Sequence, residues 1–62
     1  ISIANGANEA AVAAFLSEKI SFLRIGELVT QAIQAIPTTK LNRYEDVVAA
    51  DRAAREYVAE NL

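Results

Sequence analysis

Asp51 is the residue of this sequence whose setting is closest to that of a catalytic group. It lies within the apolar helical stripe of the segment YEDVVAADRAAREYV, and a carboxylate buried among apolar side chains can act as a general acid or base because burial raises its proton affinity. Arg55 follows four residues later. Helical side chains at that spacing are neighbours, so an ion pair, or a hydrogen bond from Asp51 to the end of a neighbouring helix, explains the placement without catalysis. We favour this structural interpretation because nothing near Asp51 in the sequence completes an active site.

A second polar group, formed by Asn5, Asn8 and Glu9, precedes a long apolar run. Amides and a carboxylate at the start of a helix could bind a polar ligand near the positive end of the helix dipole. The same residue types also cap helices. No glycine-rich phosphate loop accompanies them, so we predict that Asn5 or Asn8 caps a helix and that the group hydrogen-bonds to a neighbouring domain.

The composition excludes most enzyme chemistry. The sequence contains neither cysteine nor histidine, which removes disulfides, thiolate and imidazole metal ligands, and every nucleophile activated by an imidazole. Its eight Asp and Glu residues are scattered, without the spacing of a calcium-binding loop. We therefore assign no catalytic, cofactor-binding or metal-binding residue, and we expect no cofactor in this chain.

Charge and length narrow the class of protein further. The net charge is −2 and the six basic residues form no run, whereas binding to phosphates needs a concentrated basic face. No apolar run is long enough to span a membrane, and no signal peptide is recognisable. Sixty-two residues without a methionine are near the lower size limit of a single domain. We expect a soluble, intracellular piece of a longer protein.

The periodicity predicts three helices. The first covers roughly residues 5–17, and its bulky side chains share one face; its other faces are alanine, which permits close approach and predicts a central helix. A connection then carries three apolar anchors pointing inward. The predicted inward face of the first helix is Ala11, Val12, Phe15 and Leu16 with Asn8, and the anchors are Ile20, Phe22 and Ile25.

The second helix shows the clearest periodic signal, with apolar residues at i, i+3, i+4, i+7, i+8 and i+11. Pro37 is predicted to end it, because the residue before proline is pushed out of the helical region. TTKLN supplies a polar turn, with Leu41 as its only apolar anchor. The predicted inward stripe is Ile25, Leu28, Val29, Ala32, Ile33 and Ile36.

A third helix is predicted from about Arg43 to Glu60. Asn42 and Glu45 fit a reciprocal capping arrangement at its start. No internal repeat and no strand-like alternation is present, so the fold class is an all-α bundle of about three helices. The predicted inward face of the third helix is Tyr44, Val47, Val48, Ala54 and Val58, with Asp51 among them.

Two segments, NGANEAAVAAFLSEKISFLRI and YEDVVAADRAAREYV, carry a family resemblance. They resemble the C-terminal helical domain of 1-deoxy-D-xylulose 5-phosphate reductoisomerase, where an N-A-A-N-E-x-A-V-A-A-F-L segment precedes I-x-F-x-x-I and a late helix carries E-D-V-x-x-A-D-x-x-A-R. The segments cover over half of the chain, in the family's order. Gly6 stands where the family usually has alanine, and residues 26–43 match by pattern only.

The resemblance implies a parent enzyme that rearranges and reduces 1-deoxy-D-xylulose 5-phosphate to 2-C-methyl-D-erythritol 4-phosphate in non-mevalonate isoprenoid biosynthesis. It implies NADPH and a divalent cation such as Mg2+ or Mn2+ as the parent's cofactors. In the family, the dinucleotide-binding glycines lie in an N-terminal domain, and the metal and phosphate ligands lie in a central domain. None of those motifs aligns here, so no catalytic, cofactor or metal residue is carried over to this chain.

The resulting interpretation is a non-catalytic C-terminal helical domain over residues 1–62, in the bacterial cytoplasm or a plastid. We expect it to pack against the remaining domains of the enzyme and, when isolated, to associate with itself. Three alternatives remain open: an independent helical adaptor that binds a partner helix, a helical DNA-binding domain, and an enzyme centred on Asp51. A glycine-rich dinucleotide loop upstream in the full-length gene would separate the adaptor from the reductoisomerase fragment.

Overall fold

The computed structural model describes residues 2–36 and 43–62, and these form three α-helices without a strand. The helices are α1 (Ser2–Leu16), α2 (Phe22–Ala35) and α3 (Tyr44–Glu60). They confirm the predicted all-α bundle. Helix α1 is central, as its alanine content predicted, because it packs against both other helices while α2 and α3 touch each other much less.

Pairs of neighbouring residues give the directions of the helices. Gly6 lies beside Asp51, and Glu9 beside Arg55, so α1 and α3 run parallel. The guanidinium of Arg24, near the start of α2, donates to the carbonyl of Asn61 just after α3, so α2 runs antiparallel to both. In chain order, the three helices therefore point up, down and up.

The buried face of α1 is made of small residues and differs from the predicted face. The helix begins at Ser2, not near Asn5. Of the predicted inward residues only Ala11 is buried, whereas Leu16 is 74% exposed. The prediction was wrong because α1 has helices on two sides, and the approach of both selects the side with the shortest side chains. Its buried residues are Ile3, Gly6, Ala7, Ala11 and Ala14.

The turn between α1 and α2 closes with backbone hydrogen bonds. The amide of Glu18 donates to Phe15 and that of Lys19 to Ala14, both at 2.9 Å. Glu18 takes a φ of 62°, the left-handed conformation that often ends a helix. Of the predicted anchors, Ile20 and Ile25 pack against the core.

Phe22, the third predicted anchor, does not point inward. It is 70% exposed and meets the ring of Phe15 edge-on, with ring centroids 5.8 Å apart. The reason is that α2 already begins at Phe22, with Ser21 as its N-cap accepting from the amide of Arg24 at 3.4 Å. Phe22 lies six positions before the fully buried Leu28, a spacing that places the two side chains on different sides of an α-helix.

Helix α2 largely follows its predicted stripe. Leu28 and Ala32 are fully buried, but Ile33 is exposed, which the stripe did not predict. Ile36 leaves the helix in an extended conformation, with φ −99° and ψ 118°, as expected for a residue before proline. Pro37 itself and the predicted TTKLN turn with Leu41 lie outside the described residues.

Helix α3 buries only the second half of its predicted face. It begins at Tyr44 with Arg43 in the cap position and no side-chain cap hydrogen bond; Asn42, the predicted cap, lies outside the described residues. Ala54 and Val58 are buried, whereas Tyr44 is 79% exposed. Val47 and Val48 are also exposed. Since Gly6 lies beside Asp51, Ser2, the first described residue of α1, is level with Val47.

The core is built mainly from alanine. Leu28 and Val58 are the largest fully buried side chains, and alanines from all three helices surround them. Within the described ranges, no helix combines the length and the apolar composition that crossing a bilayer requires. The buried cluster is Ile3, Ala7, Ala11, Leu28, Ala32, Ala54 and Val58.

Candidate functional site

Asp51 and Arg55 form the predicted ion pair on α3. The Nε atom of Arg55 donates to Oδ2 of Asp51 at 2.8 Å, at i, i+4 spacing. The side chain of Asp51 is 38% exposed, so it is not the buried carboxylate that the catalytic hypothesis assumed. The ion pair that the i, i+4 spacing predicted is thereby confirmed.

Glu9 completes a cross-helix polar cluster with Asp51 and Arg55. The terminal NH2 of Arg55 donates to the two carboxylate oxygens of Glu9 at 3.2 and 3.4 Å. The hydrogen bond to Asp51, and then that to Glu9, raises the pKa of Arg55 above its ordinary value. The guanidinium joins α1 to α3 through two carboxylates.

Gly6 brings the backbones of α1 and α3 close together at this cluster. A Cβ atom added at Gly6 would lie 2.7 Å from Oδ1 of Asp51 and 2.9 Å from its backbone oxygen. Any side chain here would therefore have to displace α3 itself. The missing side chain of Gly6 is what lets Asp51 sit directly against α1.

The remaining sequence candidates, Asn5 and Asn8, lie inside α1 rather than at its start. Because the helix begins at Ser2, neither can cap it, and that prediction was wrong. Both residues are exposed. Asn5 shares a groove with α3, whereas Glu9, its companion in the sequence, belongs to the ion-pair cluster.

The link between Glu9 and Arg55 was missed by the sequence reasoning. The i, i+4 rule applies within one helix, and the residues of this pair are separated by 46 positions. Finding it requires the parallel register of α1 and α3, which periodicity alone does not supply. The only sign of this link in the sequence was the acidic side chain of Glu9, directly before the alanines of α1.

Two open grooves lie at opposite ends of the α1 and α3 pair. The first, which we name the amino-end groove, has a volume of about 290 Å³. The second, of about 280 Å³, includes Ala10, Lys19, Arg55 and Leu62 among its lining residues. The amino-end groove is lined by Ser2, Asn5, Tyr44, Val47, Val48 and Asp51.

The polar cluster is suited to joining helices. Its two acids face one guanidinium, which satisfies both carboxylates at once. In the part of the chain that the structure describes, no three Asp or Glu residues gather as a metal ion would need. The arrangement links α1 to α3 through the side chain of Arg55.

Comparison with known proteins gives a consistent family. The profile described as the DXP reductoisomerase C-terminal domain matches residues 1–57. The 1-deoxy-D-xylulose 5-phosphate reductoisomerases of Paraburkholderia phytofirmans and Rhodospirillum centenum are each 45% identical to this chain over 56 residues, 90% of the chain and 14% of the relative. That of Clostridium beijerinckii is 39% identical over 61 residues, 95% of the chain and 16% of the relative. No solved structure matches. The chain thus spans about one seventh of the length of these relatives.

Proposed function

Because this chain belongs to the DXP reductoisomerase C-terminal domain family, we propose that it is a non-catalytic structural domain of a 1-deoxy-D-xylulose 5-phosphate reductoisomerase. NADPH and the Mg2+ or Mn2+ ion that the resemblance implies would be bound by other parts of that enzyme. The enzyme would work in the cytoplasm of a bacterium or in a plastid. The residues of this chain would then act by holding a rigid helical unit in place.

One observation carries this proposal: the side chains that were the strongest candidates for catalysis or ligand binding are hydrogen-bonded within one cluster. Arg55 binds both Asp51 and Glu9, and these two acids were the strongest catalytic and ligand-binding candidates. The hydrogen bonds to the guanidinium occupy carboxylate oxygens of both acids, so fewer acceptor sites remain for a reactant or a ligand. The cluster therefore supports a role in stability.

The domain's partners would be the remaining domains of the enzyme. Several large apolar side chains are highly exposed on this bundle, among them Leu16, Phe22, Leu23 and Tyr44. Exposed apolar clusters on small proteins generally mark contact surfaces. An independent adaptor would also use such surfaces, but family membership favours contacts within one enzyme.

The proposal is tested by Asp51→Asn and Glu9→Gln in the full-length enzyme. Both substitutions remove a charge while nearly preserving side-chain shape. We expect kcat and KM for 1-deoxy-D-xylulose 5-phosphate to stay within about twofold of the unsubstituted enzyme, and the melting temperature to fall, because only the link between α1 and α3 is weakened. Steady-state kinetics and thermal unfolding measure the two effects.

Glu56→Gln is the matched control, since Glu56 is exposed on the outer side of α3. It removes the same charge without touching the cluster, and should change neither kinetics nor melting temperature. A loss of kcat of a hundredfold or more in a folded Asp51→Asn or Glu9→Gln enzyme would assign that residue to the chemistry and overturn the proposal.

A further inference from the structure

The apolar stripe of α3 is longer than the surface that covers it. Its carboxyl-end half, with Ala54 and Val58, is fully buried against α1 and α2. Its amino-end half continues the stripe with Tyr44, Val47 and Val48, all of which are exposed. A stripe at this spacing ordinarily faces a packed neighbour. Among the residues that the structure describes, the first two turns of α3 therefore present a contact face that the neighbouring helices cover only in part.

The shape of that region suits an inserted side chain. The three exposed apolar residues form one wall of the amino-end groove, and Ser2 and Asn5 of α1 contribute polar groups to the other. The groove therefore combines apolar surface with the hydroxyl of Ser2 and the amide of Asn5. This combination fits a polypeptide segment that inserts an apolar side chain and hydrogen-bonds through its backbone.

The family relationship indicates which polypeptide covers the amino-end groove. The matched relatives extend far beyond the region that this chain covers, and a C-terminal domain is preceded by the rest of its polypeptide. That polypeptide reaches α1 at Ser2, which is itself part of the groove. A tethered segment has a high effective concentration at a site next to its attachment point. It therefore competes favourably with any separate molecule.

We propose that the amino-end groove is covered, in the full-length reductoisomerase, by the polypeptide of the same enzyme that precedes α1. This inference rests on the proposed function and identifies where the domain is held. The stripe on α3 is then continuous because two different neighbours cover it: α1 over its second half, and the preceding polypeptide over its first half.

Thiol labelling of the full-length enzyme tests this. The 62 residues contain no cysteine, so a thiol placed in this region can be followed by mass spectrometry of its own peptide. Val48→Cys places the thiol on the groove wall, at a position 38% exposed in the bundle alone. Glu56→Cys, on the outer side of the same helix, is the control. We expect labelling at position 48 to be at least tenfold slower than at position 56, at every enzyme concentration.

Two results would overturn the inference. Comparable labelling rates at positions 48 and 56 would show that the groove is open in the complete enzyme. Protection at position 48 that disappears on dilution would assign the groove to a second copy of the chain. If Val48→Cys fails to fold, Tyr44→Cys provides the same comparison, because Tyr44 contributes little to the bundle's own core.

The failure of this inference can be told apart from the failure of the proposed function. Fast labelling at position 48, together with unchanged kinetics of the Asp51→Asn and Glu9→Gln enzymes, removes the docking surface alone. Slow labelling together with a collapse of kcat in those variants leaves the docking surface and removes the non-catalytic role.

Discussion

At the scale of single residues, Gly6 and Asp51 form a close approach between α1 and α3. The contact depends on a missing side chain on one helix and a carboxylate on the other. Sequence reasoning placed Gly6 at an ambiguous helix start and Asp51 in an ion pair. The ion pair was predictable because the i, i+4 rule is local. The close approach was not predictable, because it depends on two segments that are far apart in the sequence.

The two glycines provide a paired test of this contact. Alanine in place of glycine in a helix interior ordinarily stabilises by about 1 kcal/mol. At Gly26 a Cβ would meet nothing within 4 Å, so Gly26→Ala should show that gain in full. At Gly6 the new Cβ would meet the backbone of Asp51, and the strain of overpacking, about 1–3 kcal/mol, should cancel or reverse the gain.

Urea unfolding of the 62-residue chain, followed by circular dichroism at 222 nm, measures both free energies of unfolding. We expect Gly6→Ala to be less stable than Gly26→Ala by about 1 kcal/mol or more. Equal stabilisation by the two substitutions would contradict the close approach.

At the scale of helices, type and number were predictable, whereas the buried faces were predictable only in part. Helix α2 has a neighbour on essentially one side, so its apolar stripe and its core face nearly coincide at Leu28 and Ala32. Helix α1 has a neighbour on two sides. Its core face is then chosen by closeness of approach, which favours Ala7 and Ala11 over Phe15 and Leu16. Hydrophobic periodicity follows the spacing of large apolar side chains. It therefore cannot detect a preference for small ones.

A pair of leucines on α2 tests the observed faces. Leu28 is fully buried and Leu23 is 80% exposed. Leu28→Ala should lower the free energy of unfolding by about 2–5 kcal/mol, through lost burial and the cavity left behind. Leu23→Ala, the same change on the same helix, should stay within about 0.5 kcal/mol of the original chain. Denaturant unfolding distinguishes them, and similar losses at both sites would contradict the assigned face.

At the scale of the whole molecule, the bundle exposes much of what a larger core would bury. Few large side chains are fully buried, while Leu16, Phe22 and Tyr44 are mostly exposed. A chain of 62 residues can form only a limited core. It was therefore expected to depend on a neighbour. Which residues would meet that neighbour could not be predicted, since the amino-end half of α3 was expected to face inward.

The isolated chain is predicted to associate with itself through this exposed surface. Removing Tyr44 and the two valines from water in a pair of chains is favourable, because buried apolar area contributes roughly 25 cal/mol per Å². Sedimentation over a hundredfold concentration range should show the average mass rising. Val48→Lys should weaken the association by placing a charge in the contact.

Ala59→Lys is the control for that experiment, since Ala59 is exposed at the other end of α3 and outside the amino-end groove. It adds the same charge to the same helix. A strictly monomeric chain at the highest concentration, or an equal effect of both lysines, would show that the amino-end groove does not drive association.

The alanine core has an evolutionary consequence. Ala7, Ala11, Ala32 and Ala54 are all completely inaccessible to solvent, so each permits replacement only by something as small. A lineage that enlarges one of these residues must shrink a facing residue or spread its helices. We therefore expect paired, compensating changes at these sites among orthologues, while the surface drifts freely around them.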